Sequence, residues 1–134
     1  MSSYDFSPGI NKLLKAFKKN RKFLFVSTNK PHKLARSIVD SRFGYDLFLE
    51  VKGQMPNSPI KPDPEVVNYF LKKYGLNKKD VIYIGDSAVD VDCANSAGIN
   101  CCLVTWGYGN YDWTLTSKAT FVVSKAEEIA TIVL

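Results

Sequence analysis

Ile84-Gly85-Asp86-Ser87-Ala88-Val89-Asp90 closes a short apolar run, Val81 to Ile84, and opens a segment of small residues that ends in Ala94-Asn95-Ser96-Ala97-Gly98. The apolar run has no polar alternation, which suits a strand buried on both faces. The segment from about Val89 to Ala97 reads as a helix, and Gly98 ends it. Asp86 therefore sits at a strand tip, with Asp90 four residues on, near the start of the helix. Carboxylates so placed can converge on one hard cation, and Mg²⁺ accepts a few such oxygens together with water and phosphate. The plainer reading is a helix cap at Asp86 or Ser87 with Asp90 exposed. A Gly-Asp-Ser turn directly after a buried strand, backed by a small-residue helix, is more than a cap requires.

Outward from this turn the chain alternates helix and strand. A helix over about 9–20 carries Ile10, Leu13, Leu14 and Phe17 on one stripe. Phe23 to Ser27 is a short buried strand, followed by a helix opening at Pro31, with Leu34, Ala35, Ile38 and Val39 inside, that ends near Gly44. Tyr45 to Val51 is a short strand. The Pro-rich loop Gly53 to Pro62 leads to a helix with Asp63 as N-cap and Pro64 at its first position, its inner residues being Val66, Val67, Phe70, Leu71 and Tyr74, and Gly75 ends it. Cys101 to Val104 and Thr120 to Val123 are strands, and Ala126 to Val133 closes the chain as a helix. Such alternation predicts an α/β fold, one domain over residues 1–134, with a mostly parallel sheet and helices on both faces.

In sheets of this kind ligands bind beyond the carboxyl ends of the strands. Two further strand ends carry suitable chemistry. Ser27-Thr28-Asn29-Lys30-Pro31 brings hydroxyls to a helix N-terminus, where unpaired N–H groups and the helix dipole attract an anion; an ordinary cap before a proline is the alternative. Lys61, in Pro59-Ile60-Lys61-Pro62-Asp63-Pro64, is an ammonium on a stiffened backbone and could neutralise a phosphate or hold a carboxylate ionised. A surface lysine in a loop is the other reading.

The net charge of +5 over 134 residues could suggest nucleic acid. The densest cluster, Lys15, Lys18, Lys19, Arg21 and Lys22, instead falls on the solvated face and C-terminal end of the first helix, which argues against a nucleic-acid partner. No apolar run is long enough to cross a bilayer and the N-terminus lacks a signal-peptide pattern, so no membrane association and a cytoplasmic location are expected. Cys93, Cys101 and Cys102 have no C-x-x-C spacing and read as reduced core residues. His32 is lone and reads as a surface residue without a catalytic role.

Taken in order, Pro8-Gly9-Ile10 with Leu13-Leu14, Val26-Ser27-Thr28-Asn29-Lys30, Lys61-Pro62-Asp63-Pro64, Ile84 to Asp90 with Ala94 to Gly98, and Thr105-Trp106-Gly107-Tyr108 resemble the phosphatases of the haloacid dehalogenase (HAD) superfamily, and within it the phosphoglycolate phosphatase-like group. The resemblance implies a Rossmann-like three-layer sandwich and hydrolysis of a small phosphorylated metabolite through a phosphoaspartate, with Mg²⁺ as cofactor. It implies that Thr28 hydrogen-bonds the transferring phosphoryl group with Asn29 beside it, and that Lys61 stabilises negative charge around it. Asp86 would hold Mg²⁺, and Asp90 would support the metal or orient Lys61. Ser87 would add a hydrogen bond behind the metal ligands.

The family begins with a central strand ending in Asp-x-Asp-x-Thr, whose first Asp is the nucleophile. No such motif occurs here; Asp5, Asp40, Asp46 and Asp80 stand singly. The chain alone is accordingly expected to be inactive, or to depend on a missing N-terminal segment. The absent strand would lie between Phe23 to Ser27 and Val81 to Ile84, leaving two apolar edges. Three outcomes are expected: another polypeptide supplies the strand, the two strands close up and pair, or the chain self-associates through those edges. The cap domain that selects substrate is also expected to be missing, since Ser7-Pro8-Gly9 resembles the return point from cap to core. A non-catalytic phosphate- or Mg²⁺-binding or protein-interaction domain is the competing function. A response-regulator receiver domain fits poorly, because its acidic cluster comes early in the chain.

Overall fold

A computed structural model describes residues 9–106 and 111–133. Ser7, Pro8, Gly107 and Tyr108, quoted above for the resemblance, lie outside the described residues. The element order is α1 (Ile10–Lys19), β1 (Phe25–Pro31), α2 (His32–Phe43), β2 (Glu50–Gln54), α3 (Glu65–Lys73), a 3₁₀ turn (Lys78–Asp80), β3 (Ile82–Gly85), α4 (Ala88–Ala97), β4 (Asn100–Val104), α5 (Trp113–Thr116), β5 (Phe121–Val123) and α6 (Ala126–Val133). All strand pairings are parallel. The expected α/β alternation is therefore present.

β4 shows why its sequence is continuously apolar. Cys102 and Val104 enter a core with Leu13, Leu14 and Phe17 of α1 and with Ala126 and Ile129 of α6. Cys101 and Leu103 enter another with Val67 of α3, Val91, Cys93, Ala94 and Ala97 of α4, and Leu115 of α5. Side chains alternate across a strand, so a strand covered on both faces needs apolar residues at every position. The three thiols are reduced and buried. Burial pushes Cys93 and Cys102 up to about 11 and Cys101 to about 12.

The sheet is not continuous. Among the described residues β1 pairs only with β2, and β3, β4 and β5 form a separate sheet in that order. Of the three expected outcomes, direct closure of the two strands is therefore not what the fold does. Among the same residues each sheet keeps an edge without a backbone partner, on β1 and on β3. The consequence is visible in burial: Ile82, Tyr83 and Ile84 of β3 are only half-buried, where burial on both faces was expected, while Cys101 to Val104 of β4 are fully buried. Helices join the two sheets. Phe17 of α1 lies in the β4 core with Leu24 and Leu47 of the β1–β2 side, and Phe70 of α3 stacks on Phe25 of β1, ring centroids 4.7 Å apart, while its neighbour Val67 packs on α4 and β4.

Other expectations shift in detail. The strand expected at Tyr45 to Val51 begins only at Glu50, where the register with Phe25 starts. Residues 45–49 instead lay Leu47 into the core and leave Tyr45 and Leu49 exposed. β1 runs on to Pro31 with an irregularity after Ser27, and α2 begins at His32 rather than Pro31. Leu34, expected on the inner stripe of α2, is exposed, and Ala35 and Val39 carry the packing instead. His32 is more than a surface residue: it is half-buried, and its Nδ1 accepts the Gly53 N–H at 3.1 Å, tying the end of β2 to the start of α2. A Cβ on Gly53 would meet the His32 Cα at 2.5 Å, so this close approach requires glycine.

Candidate functional site

The β3–α4 turn is built around Asp90. Gly85 ends β3 against the Asp90 side chain, so closely that a Cβ there would lie 2.3 Å from the Asp90 Cβ. The Ser87 Oγ caps α4 by accepting the Asp90 N–H at 3.4 Å and donates in turn to Asp90 Oδ2 at 3.0 Å. The Asp86 N–H donates to the same oxygen at 3.1 Å. Asp90 is thus a buried residue that organises the turn, not the exposed helix residue of the plainer reading. Asp86 is half-buried at the tip of β3, and its carbonyl accepts the Tyr111 hydroxyl at 3.0 Å.

Lys61 comes to the same place from the loop before α3. Its Nζ lies 2.7 Å from Asp90 Oδ1, with side chains 8% and 6% exposed, so the ion pair is largely removed from water. The ammonium also donates to the Ser27 carbonyl of β1 at 3.4 Å. One side chain therefore spans the break between the sheets, from the end of β1 to the start of α4. Its peptide is clasped by Asn29, whose Oδ1 accepts the Lys61 N–H at 2.9 Å and whose Nδ2 donates to the Lys61 carbonyl at 3.3 Å. The Lys61–Pro62 peptide is cis. Thr28 is buried, and its Oγ1 accepts the Lys30 N–H at 3.2 Å. A hydroxyl bound this way keeps its own proton for another acceptor.

Burial would raise the Asp90 carboxyl, but the charge and hydrogen bond of Lys61, with help from Ser87, hold it below its ordinary value. Tyr83 donates its hydroxyl to Asp90 Oδ1 at 3.1 Å. Burial first, and then the Asp90 charge, push that phenol well above its usual range, so it stays a donor. Sequence reading passes over Tyr83 and Tyr111. For Tyr83 a signal exists: it is the one polar-tipped residue in the apolar run Val81 to Ile84, and a buried tyrosine hydroxyl needs a partner.

The structure thus gathers Lys61, Asp90, Ser87 and Asn29 into one hydrogen-bonded unit, with Thr28 and Asp86 at adjoining strand ends. Both Asp90 oxygens are occupied by protein donors, four in all. A cation approaching Asp90 would compete with these donors, with Lys61 and Tyr83 at Oδ1 and with Asp86 and Ser87 at Oδ2. Of the two roles expected for Asp90, the geometry matches the orienting of Lys61. Among the described residues no three His, Cys, Asp or Glu side chains cluster as a complete metal site.

The profile of haloacid dehalogenase-like hydrolases matches residues 2–104. This chain belongs to that family. A phosphoglycolate phosphatase of Pasteurella multocida is 35% identical over 127 residues, covering 93% of this chain and 56% of the relative. Phosphoglycolate phosphatase 1 of Pseudomonas aeruginosa is 29% identical, covering 91% of this chain and 45% of the relative. The crystal structure of a predicted phosphoglycolate phosphatase from Haemophilus somnus superposes with a TM-score of 0.88 at 31% identity, over 97% of this chain and 58% of that one. The chain spans about half the length of the curated relatives it matches. The resemblance puts the family's first strand between β1 and β3, which lie in separate sheets among the described residues. No helix among the described residues is long and apolar enough to cross a membrane.

Proposed function

We propose that this HAD-like chain forms the phosphate-anchoring and charge-stabilising half of a phosphomonoester hydrolase site resembling that of phosphoglycolate phosphatases. The carrying observation is the buried Lys61–Asp90 pair, aligned by Asn29 and Ser87 and bonded to Ser27, next to Thr28 in β1, and to Asp86, just after β3. In this reading Thr28 donates its hydroxyl proton to a phosphoryl oxygen. Lys61, paired with Asp90, offers positive charge where negative charge gathers, and that stabilisation is preorganised because the ammonium needs no reorientation. The half-buried Asp86 carboxylate is a hard oxygen donor and suits Mg²⁺. One carboxylate with its neighbouring waters is a partial donor set, so further oxygens would come from phosphate and from polypeptide outside these residues. Mg²⁺, when bound, would supply charge neutralisation to the phosphate.

The nucleophile is the missing part. We place it on a strand ending in Asp-x-Asp-x-Thr that enters between β1 and β3 and lies outside these 134 residues, which alone bind phosphate without turning it over. The test is hydrolysis of an aryl phosphate with Mg²⁺. The purified chain should be silent, and should gain turnover when a peptide carrying the N-terminal strand and Asp-x-Asp-x-Thr of a relative is added. Turnover by the chain alone, lost on Asp86→Ala, would overturn the assignment of the nucleophile to a separate segment. Phosphate and Mg²⁺ binding without turnover, even with the peptide, would favour the second reading, a non-catalytic phosphate- or Mg²⁺-binding domain.

A further inference from the structure

The loop that presents Lys61 has few constraints of its own. Around Lys61 the loop's backbone bonds are short-range turns, the Ser58 N–H to the Met55 carbonyl and the Asp63 N–H to the Ile60 carbonyl. Pro59, Pro62 and Pro64 remove donors that could otherwise tie it down. Against that background the Asn29 carboxamide is conspicuous. It meets the N–H and the C=O of one residue, offering Lys61 the donor and acceptor that a neighbouring strand would offer. Asn29 directly follows Thr28 on β1, and the Lys61 ammonium returns to β1 at the Ser27 carbonyl. The lysine is therefore tethered to one short stretch of one strand, through its backbone at 29 and its head group at 27, with Thr28 between them.

We propose that Asn29 is a positioning residue whose carboxamide holds Lys61 in register with Thr28, rather than chiefly a ligand to phosphate. This rests on the proposed phosphate site for its purpose but not for its geometry. The two strand ends on either side of the interrupted sheet have no backbone bonds to each other among the described residues. Their relative position is set by side chains, and a lysine with a long flexible stem needs its backbone anchored if its charge is to stay in one place. Without the clasp, the loop carrying Lys61 would move independently of β1, and the ammonium would sample positions away from Asp90.

The test uses the whole chain in solution. A buried, ion-paired ammonium exchanges its protons slowly enough to give a ¹H–¹⁵N signal at mildly acidic pH, and Lys61→Met assigns it by its disappearance. Asn29→Ala should accelerate that exchange about tenfold, as expected when two ordinary hydrogen bonds are lost, while backbone amide shifts in α4 and β4 stay in place. Asn29→Asp keeps the acceptor for the Lys61 N–H and the shape of the side chain, loses the bond to the carbonyl, and should give a smaller acceleration. It also serves if the alanine variant folds poorly. Thr28→Val should leave the ammonium signal unmoved. In a parallel titration with inorganic phosphate, both Thr28→Val and Asn29→Ala should weaken binding several-fold. An unchanged Lys61 exchange rate in both Asn29 variants overturns the proposal, as does the absence of any Lys61-dependent ammonium signal in the unaltered chain. If the unaltered chain binds no phosphate, the phosphate-site reading fails, while the exchange rates still decide the role of Asn29.

Discussion

The Lys61–Asp90 pair makes a quantitative prediction about the fold as well as the site. Both groups are nearly excluded from water, and Asp90 accepts four hydrogen bonds, from Lys61 Nζ at 2.7 Å, Tyr83 Oη at 3.1 Å, the Asp86 N–H at 3.1 Å and Ser87 Oγ at 3.0 Å. Asp90→Asn keeps the shape but leaves the ammonium without a counter-charge, and Lys61→Met leaves the carboxylate without one. Each single substitution should cost about 3 to 5 kcal/mol, because the partner remains as an uncompensated buried charge. For a chain of this length that corresponds to a fall of roughly 10 to 20 °C in Tm. In the double variant the carboxamide oxygen that replaces a carboxylate oxygen of Asp90 can still accept from Asp86 and Ser87. Its amide nitrogen can donate to the Tyr83 oxygen, and the methionine side chain fills the volume of the Lys61 stem. The double variant should therefore lose less stability than the worse single, giving a coupling of about 3 kcal/mol or more. The assay is denaturant unfolding followed by circular dichroism for all four proteins. Additive losses, with a coupling under about 0.5 kcal/mol, would show that the two charges do not depend on each other and would refute the reasoning.

Glu50 accepts hydrogen bonds from the Tyr69 and Tyr74 hydroxyls, both at 2.6 Å, and from Lys73 at 2.8 Å. Burial acts to raise its carboxyl, but these donors outweigh it and hold it at about 2, below its ordinary 4.5. A carboxylate depressed in the folded state contributes stability that is complete above its unfolded value and is lost as pH falls through the folded one. Tm should accordingly drop between pH 4.5 and 2, and Glu50→Gln should flatten that part of the profile; an unchanged profile would exclude Glu50 as its source. Gly85→Ala would put a Cβ 2.3 Å from the Asp90 Cβ, and should destabilise by about 1 to 3 kcal/mol or more in the same unfolding assay, as an overpacked site does. The three thiols, buried and raised in pKa, should resist a disulfide reagent until the chain unfolds. Prompt labelling of the native protein would contradict their burial.

Local pattern is enough for most of the elements. α1 shows its stripe of Leu13, Leu14 and Phe17, β4 its unbroken apolar run, and α4 its Ser87 cap and its Gly98 stop, which adopts a φ of 76°. These features are readable because each depends on a few neighbouring residues and on helix or strand periodicity. The pattern places a strand too early, at Tyr45 to Val51, because Leu47-Phe48-Leu49 is a short apolar run of the kind strands carry, while pairing with β1 starts at Glu50. Strand limits are decided by the partner strand, which local pattern does not contain.

The same division applies to the site. The sequence alone put Thr28, Lys61 and Asp86 forward as candidates, because they stand beside strands, glycines and prolines that are readable locally. Tertiary structure decided what they do to one another. Asp90, expected to support a metal or to orient Lys61, pairs with the Lys61 ammonium, and Asn29, expected beside the phosphate, also clasps the Lys61 peptide. It also decided that β1 and β3 stay apart among the described residues, with Lys61 reaching from the Ser27 carbonyl of β1 to Asp90 beside β3. Lys61 and Asp90 lie 29 positions apart along the chain. Nothing local records their 2.7 Å contact; it exists only because α3 and α4 pack on a common sheet and bring the two residues to the same end of it.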